Sequence, residues 1–261
     1  MTAREIIGRV QAQLASQGIA WREGGRDTFK AGKPDTPVRG IATTGMSTFD
    51  VLRRAAADKK NLVITHEPTF YNDRDATTTL ESDPVYLAKQ RFIAEHKLVV
   101  WRFHDHAHLL RPDPLVAGSA RALGWTPYAS PDNPRLYLLP ATTLAELATA
   151  VARRLNNRAI RIVGDPGMKV TRVLLGPGYG MPVLTAAADI VVGGEISEAG
   201  GNAEYALDAT AAGQPRGMII LGHMMSEDHG MQEVAEWLRT FLTDVPVAFV
   251  PAGDPFATAS R

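Results

Sequence analysis

Short apolar runs that end in polar tips recur through the chain, and they leave few folds open to it. Leu62-Val63-Ile64-Thr65, Leu98-Val99-Val100-Trp101, Asp189-Ile190-Val191-Val192 and Met218-Ile219-Ile220-Leu221 are the clearest. Runs of this length, apolar at successive positions, fit strands buried on both faces. Between them lie stretches of helical spacing, over 2–17, 84–96, 115–123, 144–155 and 202–212. Ser47 is placed to cap a helix through Ala57, and Thr143 to open the one that follows it. A further helix is expected over 181–187, and another from Ser226 to about 242. Val38 to Ala42, 136–139, 158–163, 170–175 and a closing run over 245–250 add strands. Strands alternating with helices imply an α/β protein with mostly parallel sheets. Residues 22–37, rich in Gly and polar side chains, are expected to be a loop.

A chain of 261 residues can form two lobes of roughly 100–150 residues each. The Pro- and Asn-containing stretch near 126–140 suggests lobes over 1–126 and 127–261. Lys plus Arg and Asp plus Glu are equal at 28 each, with no block of like charge. That argues against a nucleic-acid binder or an anionic-membrane binder, both of which need a basic face. The first residues begin an amphipathic stretch rather than a signal peptide, and no run approaches ~18 apolar residues. A cytoplasmic protein is the expectation. There is no cysteine, so any metal must be held by imidazole and carboxylate, and a thiol nucleophile is excluded.

The polar tips carry the chemistry. His104-Asp105-His106-Ala107-His108 gathers three of the seven histidines into five positions. On an extended backbone, positions 104, 106 and 108 would share one face. Packing gives little reason to collect three imidazoles, whereas a dication would hold them as neutral ligands. The bland alternative is a solvated His-rich turn. His66-Glu67, Glu195, and His223 with Glu227 sit at the same topological place, just past the carboxyl end of an apolar run, where open α/β sheets bind ligands. His223 is expected on the strand tip and Glu227 in the first turn of the next helix, unless both lie on one helix and share a face. Gly176-Pro177-Gly178-Tyr179-Gly180 could present amides to a phosphate, although a tight strand-to-helix turn accounts for it as well. No Gly-x-Ser-x-Gly elbow is present.

Taken in order, several of these pieces resemble the Nif-three-like proteins, also called dinuclear-metal-centre hexameric proteins or type-two GTP cyclohydrolase homologues. Val38 to Ala42 followed by Leu62 to Phe70 looks like the family's strands leading to Thr-His-His-Pro-Leu-Phe. Residues 100–108 resemble its segment ending in His-x-x-x-Asp. Gly194-Glu195 resembles its Gly-Asp, and Gly222-His223 with Ser226-Glu227 its Gly-His-x-x-Ser-Glu. The resemblance implies metal ligands at His66, His223 and Glu227. Glu67 stands in for the second histidine of the pair, and His108 for an aspartate. His104 matches the family's histidine, while Asp105 and His106 are additions suited to a base or an outer partner of a ligand. The family's N-terminal Asp-Asn-x-Gly-Leu is replaced by Gly24 to Phe29.

The expected protein is thus two α/β lobes with a metal site in the cleft between them. Two divalent ions (zinc, manganese, iron or cobalt) would be held by His66, Glu67, His108, His223 and Glu227, with Glu227 bridging. Glu195, Asp105 and His104 are the candidates for proton transfer. The expected reaction is hydrolysis of a small-molecule phosphoester or nucleotide-like substrate. A non-catalytic metal-binding interaction or regulatory protein is the alternative, and a homohexamer is implied by resemblance alone.

Overall fold

The computed structural model describes residues 1–184 and 187–257, and it is of the α/β class. Two compact units are present, one of residues 1–114 and 230–252, the other of 115–229 with the tail from Gly253. The sequence suggested one division at 126/127. In the structure the chain passes between the units three times, because its last strand returns to the first sheet and the tail from Gly253 goes back to the second unit.

The first unit runs α1 (Ala3–Ser16), β1 (Phe29–Ala31), β2 (Ile41–Thr44), α2 (Phe49–Ala57), β3 (Leu62–Thr65), α3 (Pro84–Glu95) and β4 (Val99–Arg102). In the second follow α4 (Pro114–Leu123), β5 (Leu136–Thr143), α5 (Leu144–Leu155), β6 (Arg161–Val163), β7 (Lys169–Gly176), β8 (Ile190–Gly193), α6 (Asn202–Ala211) and β9 (Gly217–Ile220). Helix α7 (His223–Arg239) starts in the second unit and ends in the first, where β10 (Val247–Phe249) completes the sheet.

The first sheet has the order β1-β4-β3-β2-β10 and the second β5-β7-β8-β9-β6. Parallel pairing joins β10, β2, β3 and β4 in one and β7, β8 and β9 in the other, with β1, β5 and β6 added antiparallel at edges. Every residue of β2, β3, β4, β8 and β9 is buried. That is the condition under which a strand reads as an unbroken apolar run. Ala42, Val63 and Val100 pack with Leu52 and Ile93 on one side of the first sheet. Val173, Ile190 and Ile219 pack with Leu147 and Val151 in the second.

Caps explain where the helices begin. Thr2 with Glu5 and Thr143 with Glu146 form capping boxes, satisfying two orphan amides at each start. Helix α2 is capped by Thr48, whereas Ser47, expected in that role, is buried with its hydroxyl donating to Thr69. Two other departures are local. Residues 22–37 contain β1, and β5 runs through Pro140, which an edge strand with an irregular register tolerates because Pro has no N–H to donate. The helix expected over 181–187 does not form at 181–184, and residues 185 and 186 lie outside the described residues. Among the described residues no helix is long and apolar enough to cross a membrane.

Candidate metal centre

In the first unit the parallel ladder continues past the strand ends and carries the tips with it. The His66 and Glu67 amides donate to the carbonyls of Thr44 and Gly45, at 3.1 and 2.8 Å, and the Phe103 amide donates to that of Thr65 at 2.8 Å. The residues after β3 and β4 therefore leave the sheet side by side, at its carboxyl end. This brings His66 against His104, with the rings stacked at 4.4 Å between centroids, and sets His108 edge-on to both at 5.1 Å. Ligand atoms of the three lie within 4.8 Å of one another, so the group could hold a metal ion.

Each ring has its tautomer set by an oxygen. Nδ1 of His66 lies 3.2 Å from the Phe103 carbonyl, which can only accept, so the proton is on Nδ1 and the lone pair on Nε2. Nδ1 of His104 faces Asp105 at 3.0 Å and Nδ1 of His108 faces Asp113 at 3.2 Å. An oxygen on the far nitrogen is the usual outer partner of a metal-bound histidine, fixing the ring and raising its basicity. Burial, reinforced by the neighbouring His104 and His108, pushes the His66 pKa well below 6.5. Burial also lowers His104, against the opposing pull of Glu67 and Asp105. Both rings are thus neutral at pH 7, as a ligand must be.

Charge is organised around the same tip. Arg102, fully buried in β4, donates through Nε to the His66 carbonyl at 3.0 Å, while its Nη2 lies 3.5 Å from Glu67 and 3.3 Å from Asp73. The other oxygen of Glu67 is 3.8 Å from His104 Nε2. Glu67 therefore stands between a fixed cation and the imidazole group. Burial alone would raise Asp105, but the Arg26 amide, the His104 ring and the Arg26 guanidinium outweigh it and hold the carboxyl at about 2. A carboxylate so low is a weak base near neutrality, and its place is as the acceptor that orients His104.

The shared face expected for His104, His106 and His108 is not what forms. Strand β4 ends at Arg102, and 107–109 make a single 3-10 turn. The cause lies 77 residues upstream. Asp27, 5% exposed, accepts the successive backbone amides of His104, Asp105 and His106 at 2.6, 2.9 and 2.9 Å. Three consecutive N–H groups aimed at one carboxylate need a curled backbone, not an extended one. The curl turns His106 away from its neighbours. Its Nδ1 meets Asp27 at 2.6 Å, its Nε2 accepts the Arg22 amide at 3.0 Å, and its ring stacks on Trp21 at 4.0 Å. With both nitrogens engaged, His106 is a structural residue, and Asp27 is the site residue that sequence reasoning missed. Losing four charge-assisted bonds, at about 1–3 kcal/mol for each donor left unsatisfied, is far costlier than losing the exposed pair of Arg4 and Asp35. Asp27→Ala is expected to lower the melting temperature by at least about 8–16 °C, and Asp35→Ala to leave it nearly unchanged. Equal small shifts in a thermal melt would refute the role given to Asp27.

The second unit builds its site in the same way. The Gly194 and Glu195 amides continue the ladder to the carbonyls of Gly176 and Gly178, and those of Leu221 and Gly222 continue it to Gly193 and Gly194. Helix α7 begins at His223 itself, not after Ser226, so the alternative in which His223 and Glu227 share a helix face is the one adopted. His223 Nε2 is 3.0 Å from Glu227, and its Nδ1 is 3.2 Å from Glu195, which is 41% exposed on the side chain. Ser226 locks the turn, donating to the His223 carbonyl at 2.6 Å and accepting the Gly178 amide at 2.9 Å. Gly178 has φ +62°, and a Cβ there would fall 2.0 Å from a Glu227 oxygen; one on Gly194 would fall 2.5 Å from the Gly178 carbonyl. The loop is thus glycine-rich where it lies directly on the Glu227 and His223 side chains. Its Gly178 and Gly180 amides are already spent, on Ser226 and on the Pro177 carbonyl, which leaves a weak phosphate cradle.

No curated protein matches this chain. Among solved structures it is similar to protein SA1388 of Staphylococcus aureus, at 17% identity and TM-score 0.73 over 99% of each chain. It is also similar to a Bacillus cereus protein related to NIF3, at 16% identity and TM-score 0.70 over 99% of each. A third likeness is to protein ybgI, described as of unknown function, at 21% identity and TM-score 0.68, covering 98% of this chain and 100% of that one. Identities this low establish the fold and not the reaction. The family match is broader: residues 1–255 fit Duf34/NIF3 (NGG1p interacting factor 3). With the strand tips and imidazoles in the order that the resemblance implied, the chain belongs to the Duf34/NIF3 family.

Proposed function

We propose that the chain binds two divalent metal ions and acts as a metal-dependent hydrolase on a phosphoester or nucleotide-like small molecule. His66, Glu67 and His108 would be the donors in the first unit, and His223 and Glu227 the donors in the second. The observation that carries this reading is the set of oxygens on the far nitrogens of His66, His104, His108 and His223. Such partners are what metal ligation calls for, and in the first unit they come with three ligand atoms within 4.8 Å of one another, which the similarly partnered His106 does not share. Imidazole and carboxylate together suit zinc, manganese, iron or cobalt. Bound there, such ions supply Lewis acidity and lower the pKa of water. The chain's own groups do the rest. Arg102 steadies Glu67, and Asp105 and Asp113 orient their imidazoles. Glu195, the accessible carboxylate beside His223, takes and returns the proton. His104, placed with the ligand group, acts as a further donor. The homohexamer implied by family likeness forms part of the same reading.

A hydrolysis screen at fixed metal load tests it. Activity is expected to fall by two orders of magnitude or more in Glu227→Ala, roughly what losing one electrostatic stabiliser costs. Unchanged activity would refute the mechanism, and retained metal without any turnover in the wild type would favour the non-catalytic reading.

A further inference from the structure

Two exposed aromatic side chains stand at the start of α7, Tyr179 against His223 and Phe256 against Gly222, and the mechanism above uses neither. Tyr179, at 77%, is the most exposed large apolar side chain among the described residues. Its ring meets the His223 imidazole edge-on at 4.8 Å, with an interplanar angle of 88°. Phe256, at 52%, lies against the residue before the same helix, its ring 3.4 Å from where a side chain on Gly222 would begin. The loop fixes Tyr179 in place. Gly178 is pinned against Glu227 and His223, so Tyr179 is the first side chain the loop can present beside them. An exposed aromatic costs apolar hydration and gains nothing for the core, and an amphipathic ring with few rotatable bonds binds planar groups with little entropy loss. The spent Gly178 and Gly180 amides mean that the loop offers a ring and not a phosphate cradle.

We infer that Tyr179 is a ring-binding platform, and that the ligand of this site is an oxyanion carried on or next to an unsaturated ring. The inference rests on the metal reading and adds the substrate class to it. Tyr179 is a specificity residue here and takes no part in proton transfer, so its hydroxyl is dispensable.

The test compares phenylphosphonate with methylphosphonate by calorimetry on the zinc-loaded full chain, with zinc measured in every sample. The wild type is expected to bind the phenyl compound about two- to tenfold more tightly, the range of a single aromatic pair. Tyr179→Ala should bring that ratio to about one and Tyr179→Phe should keep it, with zinc content equal in all three. A ratio unaltered in Tyr179→Ala overturns the inference, as does a wild type that holds zinc and shows no phenyl preference or binds neither compound. So does a Tyr179→Ala variant that changes zinc content or the sedimenting mass, since the ring would then serve the metal site or a subunit contact. A wild type that holds no zinc instead fails the metal reading underneath.

Discussion

His66→Ala is expected to lower divalent-metal affinity by more than the roughly 10–100-fold that losing one outer partner of a ligand costs, because it removes the ring at the centre of the group. His66 stacks on one neighbour and meets the other edge-on, so no nearby imidazole can take its place without moving. The same ring shapes the acid side of stability. Its folded pKa lies well below the unfolded 6.5 through burial and two adjacent imidazoles, so below pH 6.5 the unfolded chain binds a proton that the folded chain refuses. Stability is then fully present above about 6.5 and is lost as pH falls toward the folded pKa. Metal-free protein should melt progressively lower from pH 7 to pH 5, and His66→Ala should flatten that slope, with the residue due to His104. Thermal melts of both proteins across this range check it. A slope unchanged in the variant would mean that His66 is not the buried neutral group described.

The second large effect belongs to Gly178→Ala. A residue at φ +62° pays about 1–2 kcal/mol for its Cβ, and this Cβ would sit 2.0 Å from Glu227 and 3.3 Å from His223 Nε2. Relieving such an overlap costs about 1–3 kcal/mol more, and the side chain that must yield is a proposed metal ligand. Metal affinity and melting temperature should therefore fall together. Gly180, two residues along, is the control, because a Cβ there would meet only the Pro177 carbonyl at 3.4 Å. Gly180→Ala should change both quantities little. Equal effects of the two substitutions would show that the loop tolerates or resists bulk generally, with no special approach at Gly178.

The buried strands were legible because nothing polar interrupts them: the run ending at Thr65 folds as Leu62–Thr65, and that read over 189–192 folds one residue further on as Ile190–Gly193. The positions just beyond them were legible as neighbours for the same reason, since a parallel sheet delivers its tips to one edge. What could not be read was set by partners distant in the chain. The curl at 104–108 depends on Asp27, and only its accepting three successive amides reveals it; as a lone acid in a polar loop it carried no local signal. The period-of-two expectation for those histidines failed at this point, and with it the grouping of His106. His223 was expected on a strand tip because Ser226 looks like a cap, yet Ser226 instead ties the Gly178 amide to the first turn of α7. The return of β10 to pair with β2 is likewise a long-range choice, which no boundary drawn on composition could show.

Elemental analysis of tag-free protein, purified without added metal, tests the central claim most directly. The expected result is about two divalent ions per chain, falling in His66→Ala and, independently, in His223→Ala. A chain that retains no divalent ion even when zinc, manganese, iron and cobalt are offered, or whose metal content ignores both substitutions, would contradict it.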